Sequence, residues 1–185
     1  MTTIEPPTTT PAWGEPRSKT VTWHDPLLTA AVGRTMNGLD FLLAIRDGRV
    51  PPPPITAHFD FGISEVAEGD VVFRCLPDES AYNPLGTVHG GLVCTLLDTV
   101  AGCSVHTTLP AGLGYTSIEI KVNYLRPVRV VSGRPAELTA HGWVTKPGRR
   151  VAFAEGDVRD AAGKVVATAS STFLVFPLES DAPGA

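Results

Sequence analysis

The chain has 185 residues, 18% of them charged, with 15 Lys and Arg against 19 Asp and Glu for a net charge of −4. That length suits one ordinary domain with a real core and is short for two, and the acidic balance offers no broad basic surface to nucleic acid. Three cysteines without a C-x-x-C pair argue against a disulfide framework and against a zinc ribbon.

The opening MTTIEPPTTTP lacks the basic and apolar regions of a secretory signal. No run of about 18 apolar residues offers a membrane span, so a reduced, cytoplasmic setting is expected. Residues 1–22, rich in Thr and Pro, read as a disordered tail, and 178–185 as another. Residues 23–54 read as a helical extension with a Pro-rich linker. Asp25-Pro26 makes a cap and first turn before Leu27, Leu28, Ala31 and Val32, and Asn37-Gly38 interrupts the pattern. A second helical set then carries Leu39, Phe41, Leu42 and Ile45 to Gly48, and Pro51–Pro54 forms an extended spacer.

From residue 55 to 177 the pattern is that of one α+β domain. Strands are expected at 56–66 and 70–76, one apolar helix at 90–109 closed by Pro110, and strands at 114–125, 135–146, 149–159 and 164–176. Lys146-Pro147-Gly148 and Ala161-Ala162-Gly163 supply hairpin turns. The expected architecture is an antiparallel sheet of five to six strands wrapped on a central long helix, with an N-terminal helical extension.

Between Glu79 and Glu119 the single formally charged residue is Asp98, in the middle of GGLVCTLLDTVAGCSVHTTL. A helix apolar on nearly all sides is a buried helix. An ionised carboxylate there is costly unless it is paired or hydrogen-bonded, for example by the Thr95 hydroxyl, or opens onto a cleft where it can act as a base. Upstream, His89-Gly90-Gly91 opens the helix with N–H groups that no side chain shields, a terminus suited to partial negative charge. Gly90 and Asp98 are eight residues apart, roughly 12 Å along a helix, too far to meet on one carbonyl group. If both act together they come from two subunits, with two such helices antiparallel across a two-fold axis.

NPLGTVHGGLVCTLLDTVAG followed by GYTSIEIKVNYLRPV resembles the hotdog-fold acyl-CoA thioesterases of the phenylacetic-acid-degradation (PaaI-like) branch, and the likeness covers residues 38–176. The resemblance implies a homodimer that pairs further into a dimer of dimers, acting on an acyl-CoA with an aryl or medium-chain acyl group. It implies no metal and no cofactor beyond the substrate's own coenzyme A. By position, Asp98 is the catalytic carboxylate, as base or nucleophile. Gly90, assisted by Gly91, donates a backbone N–H to the carbonyl oxygen from the other subunit. Asn83 and His89 hold that loop and position the thioester or the water, and Ser117 binds the water or orients Asp98. Strict alternation in the strand sets Thr116, not Ser117, on the side of Ile118, Ile120, Val122 and Tyr124, so Ser117 stays the first choice with Thr116 as its alternative.

Other polar residues have plainer readings beside the functional ones. Asn83, before Pro84, can simply open a turn, and His89 can bond a loop backbone. Cys94 and Cys103 read as small hydrophobes rather than nucleophiles. His106 reads as dipole-favoured surface or packing. Arg149 and Arg150, with Lys146, form a basic hairpin tip that suits the phosphates of coenzyme A or remains solvated; Arg126 is a further candidate. Two other functions fit the same fold: a non-catalytic acyl-CoA binder, and a dehydratase of hydroxyacyl thioesters.

Overall fold

The computed structural model describes residues 14–129 and 137–178. Its elements are α1 (Pro26–Thr35), α2 (Gly38–Arg46), α3 (Pro54–Phe59), β1 (Phe61–Ala67), β2 (Asp70–Cys75), a 3-10 turn (Glu79–Ala81), α4 (Gly90–His106), β3 (Leu113–Tyr124), β4 (Leu138–Lys146), β5 (Val151–Asp160) and β6 (Val165–Pro177). The strands form one six-stranded sheet in the order β1-β2-β4-β5-β6-β3, and every neighbouring pair is antiparallel. β1 and β3 are therefore its edges.

The sheet curls around α4 because that helix has little but apolar side chains to offer. Leu96, Leu97, Val100 and Val105 are at most 1% exposed and meet Val71, Leu138, Val158 and Phe173 of the strands. The approach is close enough that β4 needs a glycine. A Cβ on Gly142 would lie 2.4 Å from the Val100 carbonyl group, well inside van der Waals contact.

The extension is built from local caps. The Asp25 side chain accepts from Leu27 N at 2.9 Å at the start of α1, and Asn37 accepts from Asp40 N at 2.9 Å at the start of α2. Gly38 then presses on the end of α4. Its N–H donates to the Leu109 carbonyl at 3.0 Å, and a Cβ there would fall 1.8 Å from the His106 carbonyl oxygen. This clamp lays α2 across the C-terminal end of α4, with the Phe41 and His106 rings 5.7 Å apart.

Two boundaries differ from the sequence reading. Residues 56–59 belong to α3 rather than to a strand, because Pro54 starts a short helix with its φ already set. Asp60, at φ 50°, then turns the chain into β1. α4 ends at His106, three residues early, where Thr107 and Thr108 turn their hydroxyls back onto the Ser104 and Val105 carbonyls. Of the expected tails, 1–13 and 179–185 lie outside the described residues, as do 135 and 136 of the expected fourth strand. Residues Gly14–Lys19 lie along an open groove of 1340 Å³ beside the 3-10 turn. There Arg17 pairs with Glu79, and Lys19 with Asp78 and the His58 carbonyl.

Candidate active site

The loop before α4 is organised by Asn83. Its side-chain oxygen accepts from Leu85 N at 2.9 Å and Thr87 N at 3.2 Å, and its amide donates to the Thr87 hydroxyl at 2.9 Å. His89 is the N-cap of α4, its Nδ1 accepting from Gly91 N at 2.8 Å. Both residues thus shape the backbone, the plainer of their two readings. The cap also separates the two glycines. The N–H of Gly91 is occupied, whereas that of Gly90 takes no partner among the described residues, so Gly91 is not the additional donor expected of it. The Gly90 carbonyl accepts from the Tyr124 hydroxyl at 3.0 Å.

Asp98 is not buried. Although α4 is apolar around most of its girth, Asp98 and Gly91 are exposed and Cys94 and Thr95 are half-buried. These positions recur at helical spacing and form one stripe that the sheet leaves uncovered. The Thr95 hydroxyl donates to the Gly91 carbonyl at 2.9 Å instead of reaching Asp98. The hydroxyl on Asp98 is that of Ser117, which donates to Oδ1 at 2.6 Å. Among the described residues Oδ2 takes no bond and is open to a proton or an electrophile.

A β-bulge explains why Ser117, and not Thr116, meets the acid. The β3–β6 register passes from Ser117↔Phe173 to Glu119↔Thr172 and leaves Ile118 unpaired. Residues opposite one another share a face. Phe173 is fully buried, so Ser117 points toward α4, whereas Thr116 lies opposite Leu174, which is 41% exposed, on the outer face. Beyond the bulge Ile120 faces inward opposite buried Ser171. Strict alternation fails because one extra residue shifts the phase, and Ile118, expected on the apolar side, is 56% exposed.

Asp98 and Ser117 open onto a cavity of about 440 Å³. Its walls are apolar and mixed in origin: Phe41, Leu42 and Ile45 come from α2, Phe61 and Ile63 from β1, and Phe73 from β2. Cys103, His106 and Tyr115 line it as well. Burial pushes the Cys103 thiol up to about 12 and, with the nearby Asp98 charge, raises that of Cys94. Neither is a thiolate near neutral pH, in keeping with their reading as hydrophobes. His106 packs between the rings of Phe41 and Tyr115. Burial pushes it down to about 4, so it carries no charge for a helix dipole to favour, and the dipole-favoured surface reading gives way to packing.

Gly90 lies elsewhere. It lines a separate hollow of about 320 Å³ with Asn83, Thr87, Tyr124 and Arg126, and no residue is shared between the two cavities. One chain thus holds its own Gly90 and Asp98 apart, as their spacing on the helix requires. Arg149 and Arg150 are exposed at the β4–β5 hairpin and line neither cavity. Arg126, which lines the Gly90 hollow, donates to the Val165 carbonyl. Tyr124 and Tyr115 had passed in the sequence as ordinary strand residues; a polar tip on each aromatic ring was the available signal.

An exposed carboxylate steadied by a strand serine, over an apolar cavity in a sheet wrapped on one helix, defines a class: the hotdog-fold thioester hydrolases of the PaaI-like kind. The thioesterase superfamily model matches residues 85–167. Human acyl-coenzyme A thioesterase 13 is 32% identical over 107 residues, 57% of this chain and 73% of its own length. Curated relatives are covered over 64% to 85% of their length. A hypothetical thioesterase of Streptococcus pneumoniae TIGR4, solved with coenzyme A, is 27% identical with a TM-score of 0.57, over 65% of this chain and 91% of that one. A phenylacetic acid degradation-related protein of Ralstonia eutropha JMP134 is 25% identical with a TM-score of 0.65, over 72% and 98%. The chain belongs to the thioesterase superfamily and is a thioester hydrolase. No helix among the described residues is long and apolar enough to cross a membrane.

Proposed function

We propose that the protein hydrolyses an acyl-CoA with an aryl or medium-chain acyl group, in sites shared between the two subunits of a homodimer. The observation that carries this reading is the Ser117–Asp98 pair at the mouth of the apolar cavity. The acyl group enters the cavity and leaves its thioester carbonyl beside Asp98. Asp98 takes a proton from water as the water oxygen attacks the carbonyl carbon, or attacks that carbon itself and forms an anhydride that water then opens. The negative charge on the carbonyl oxygen is met by the N–H of the partner subunit's Gly90, strengthened by the helix dipole. The C–S bond breaks and coenzyme A leaves as the thiol. Coenzyme A as the carrier is supported by the names of the human and pneumococcal relatives.

The dimer is supported by the edge strand β3, which exposes Ile118 and Tyr124 and, among the described residues, lacks a partner on one side; an open edge of this kind is normally covered. Dimers of dimers, the cytoplasmic setting, and coenzyme A phosphates near Arg149 and Arg150 remain parts of the same proposal.

A thiol-trapping assay over a panel of acyl-CoAs tests the chemistry. Wild type turns over and Asp98→Asn, folded, does not; undiminished turnover in Asp98→Asn rejects the assignment, and coenzyme A binding without thiol release identifies a binder instead. The shared site is tested by mixing Asp98→Asn with Gly90→Pro. Proline at the first helical position removes the N–H while keeping a compatible φ. Random exchange regenerates about a quarter of the sites, and no recovery after verified exchange removes the shared site.

A further inference from the structure

Two glycines open α4, and each clears room for a different side chain. A Cβ on Gly91 would lie 2.9 Å from Nδ1 of His89, and one on Gly90 would lie 3.2 Å from the Tyr124 ring and 3.4 Å from its hydroxyl. Neither glycine has a positive φ, so close approach is what calls for them. The two side chains grip the same peptide. His89 Nδ1 accepts from the Gly91 N–H at 2.8 Å, and the Tyr124 hydroxyl donates to the Gly90 carbonyl at 3.0 Å. The Gly90–Gly91 peptide plane is held at its nitrogen and at its oxygen. On the other side of the Gly90 α-carbon, the His89 carbonyl accepts from Leu92 N at 3.0 Å. Both planes that flank Gly90 are fixed, while its own N–H stays without a partner among the described residues.

Tyr124 reaches the helix from β3, the strand that also carries Ser117 to Asp98. The two residues are seven positions apart and in a regular strand would face opposite ways. The extra residue at Ile118 resets the phase. Ser117 lies opposite Phe173 and Tyr124 opposite Ala167, and both of those partners are fully buried, so both residues face α4. One strand thereby holds the acid and the amide end of the same helix. Core packing does not account for the tyrosine, which is 56% exposed. Burial, with nearby Cys94 a smaller cause, raises its phenol above the ordinary range, so the hydroxyl remains a donor through neutral pH.

Resting on the reading of Gly90 as the donor to the thioester oxygen, we propose that Tyr124 is a positioning residue: together with His89 it clamps the Gly90–Gly91 peptide and so aims the Gly90 N–H at the carbonyl oxygen as charge develops there. A donor must be aligned before the reaction to stabilise that charge without reorganising. Interactions realised only in the transition state act on kcat and not on substrate binding. Because Gly90 serves the partner subunit's Asp98, Tyr124 acts in the site whose acid belongs to the other chain.

Tyr124→Phe deletes the hydroxyl and keeps the ring. In the thiol-release assay its kcat falls about fivefold, the scale of one neutral hydrogen bond, while KM stays within about twofold of wild type and thermal melting confirms the fold. A kcat within about twofold of wild type, or a loss carried by KM alone, overturns the inference. Subunit exchange with Asp98→Asn then locates the effect. In the mixed dimer the intact Asp98 belongs to the Tyr124→Phe chain, and the Gly90 that serves it belongs to the Asp98→Asn chain, whose tyrosine is present. That site regains its full rate, and total activity rises about threefold over the mean of the two separate proteins. A tyrosine that only packs its own chain leaves that mean unchanged. No rise, while Asp98→Asn mixed with Gly90→Pro does recover activity, overturns the inference and leaves the shared site standing. Absence of recovery in both mixtures, or of any thiol from wild type, removes the shared site and this inference with it.

Discussion

Removing the Ser117 hydroxyl tests the bulge and the site together. Ser117→Ala deletes the 2.6 Å donor to Asp98 and nothing else. Hydrogen bonds to charged groups contribute about 1.5–3 kcal/mol. Both partners are exposed in the chain, so water can partly replace the hydroxyl and the lower figure applies. A barrier raised by about 1.4 kcal/mol lowers the rate about tenfold. The loss falls on kcat and kcat/KM together if the bond orients the carboxylate for attack, and on KM if it only helps seat the substrate. Thr116→Ala, on the outer face opposite Leu174, changes the rate by no more than about twofold, as for an ordinary surface substitution. The assay is thiol release under saturating and limiting acyl-CoA, with thermal melting to confirm that both variants fold. A tenfold loss in Thr116→Ala with Ser117→Ala intact would show that the strand keeps strict alternation in solution and that the bulge argument is wrong.

Leu97, fully buried in α4, should cost about 3 kcal/mol as Leu97→Ala; a denaturant midpoint close to wild type would deny that this helix forms the core. Gly142→Ala sets a methyl 2.4 Å from the Val100 carbonyl group and should destabilise by about 3 kcal/mol or more through forced separation of β4 from α4, read by chemical denaturation. His106 is pushed down to about 4 from an ordinary 6.5, so between those values the unfolded chain binds a proton that the folded chain refuses. Its contribution to stability is complete above about pH 6.5, is lost as pH falls toward 4, and changes no further below. His106→Leu therefore shows a flatter dependence of Tm on pH across this window, and parallel curves for the two proteins contradict the assignment.

What could be read in the sequence was what is decided locally. Asp25 announces a helix start because a capping side chain acts within three residues, whereas Asn37, read as an interruption, proves to be the cap of α2, and Gly163 marks a hairpin because it sits at positive φ. The long apolar run of α4 and the acid within it were legible for the same reason. α3 was hidden because one and a half turns after a proline run leave no period to detect. The bulge at Ile118 was invisible because it exists only in the register with β6, which is some fifty residues away in sequence. The exposure of Asp98 depends on where the sheet stops covering α4. An apolar helix announces that it is buried, but the stripe left open is chosen by the strand order. The cavity walls supplied by α2 follow from the contact of Gly38 with His106, two positions nearly seventy residues apart.

The proposed shared site makes a demand on how two chains meet. Along β3, Tyr124 touches Gly90, Ser117 touches Asp98 and Tyr115 packs on Gly102, so β3 runs antiparallel to α4. If two β3 edges pair antiparallel about a two-fold axis, one chain's Asp98 meets the partner subunit's Gly90 when Ser117 lies opposite the partner subunit's Tyr124. Because Ile118 is an extra, bulged residue, that register sets Lys121 opposite its own copy on the axis, and a slip of one residue would also turn the side chains to the wrong face. Lys121→Cys then brings two thiols close across the axis, and mild oxidation links the subunits. Thr116→Cys stands about nine residues from its copy along the paired strands, roughly 30 Å at strand spacing, and gives no such link. A covalent dimer through residue 116 with none through 121 would place the axis elsewhere and separate Gly90 from Asp98 in the assembly as it is separated in the chain.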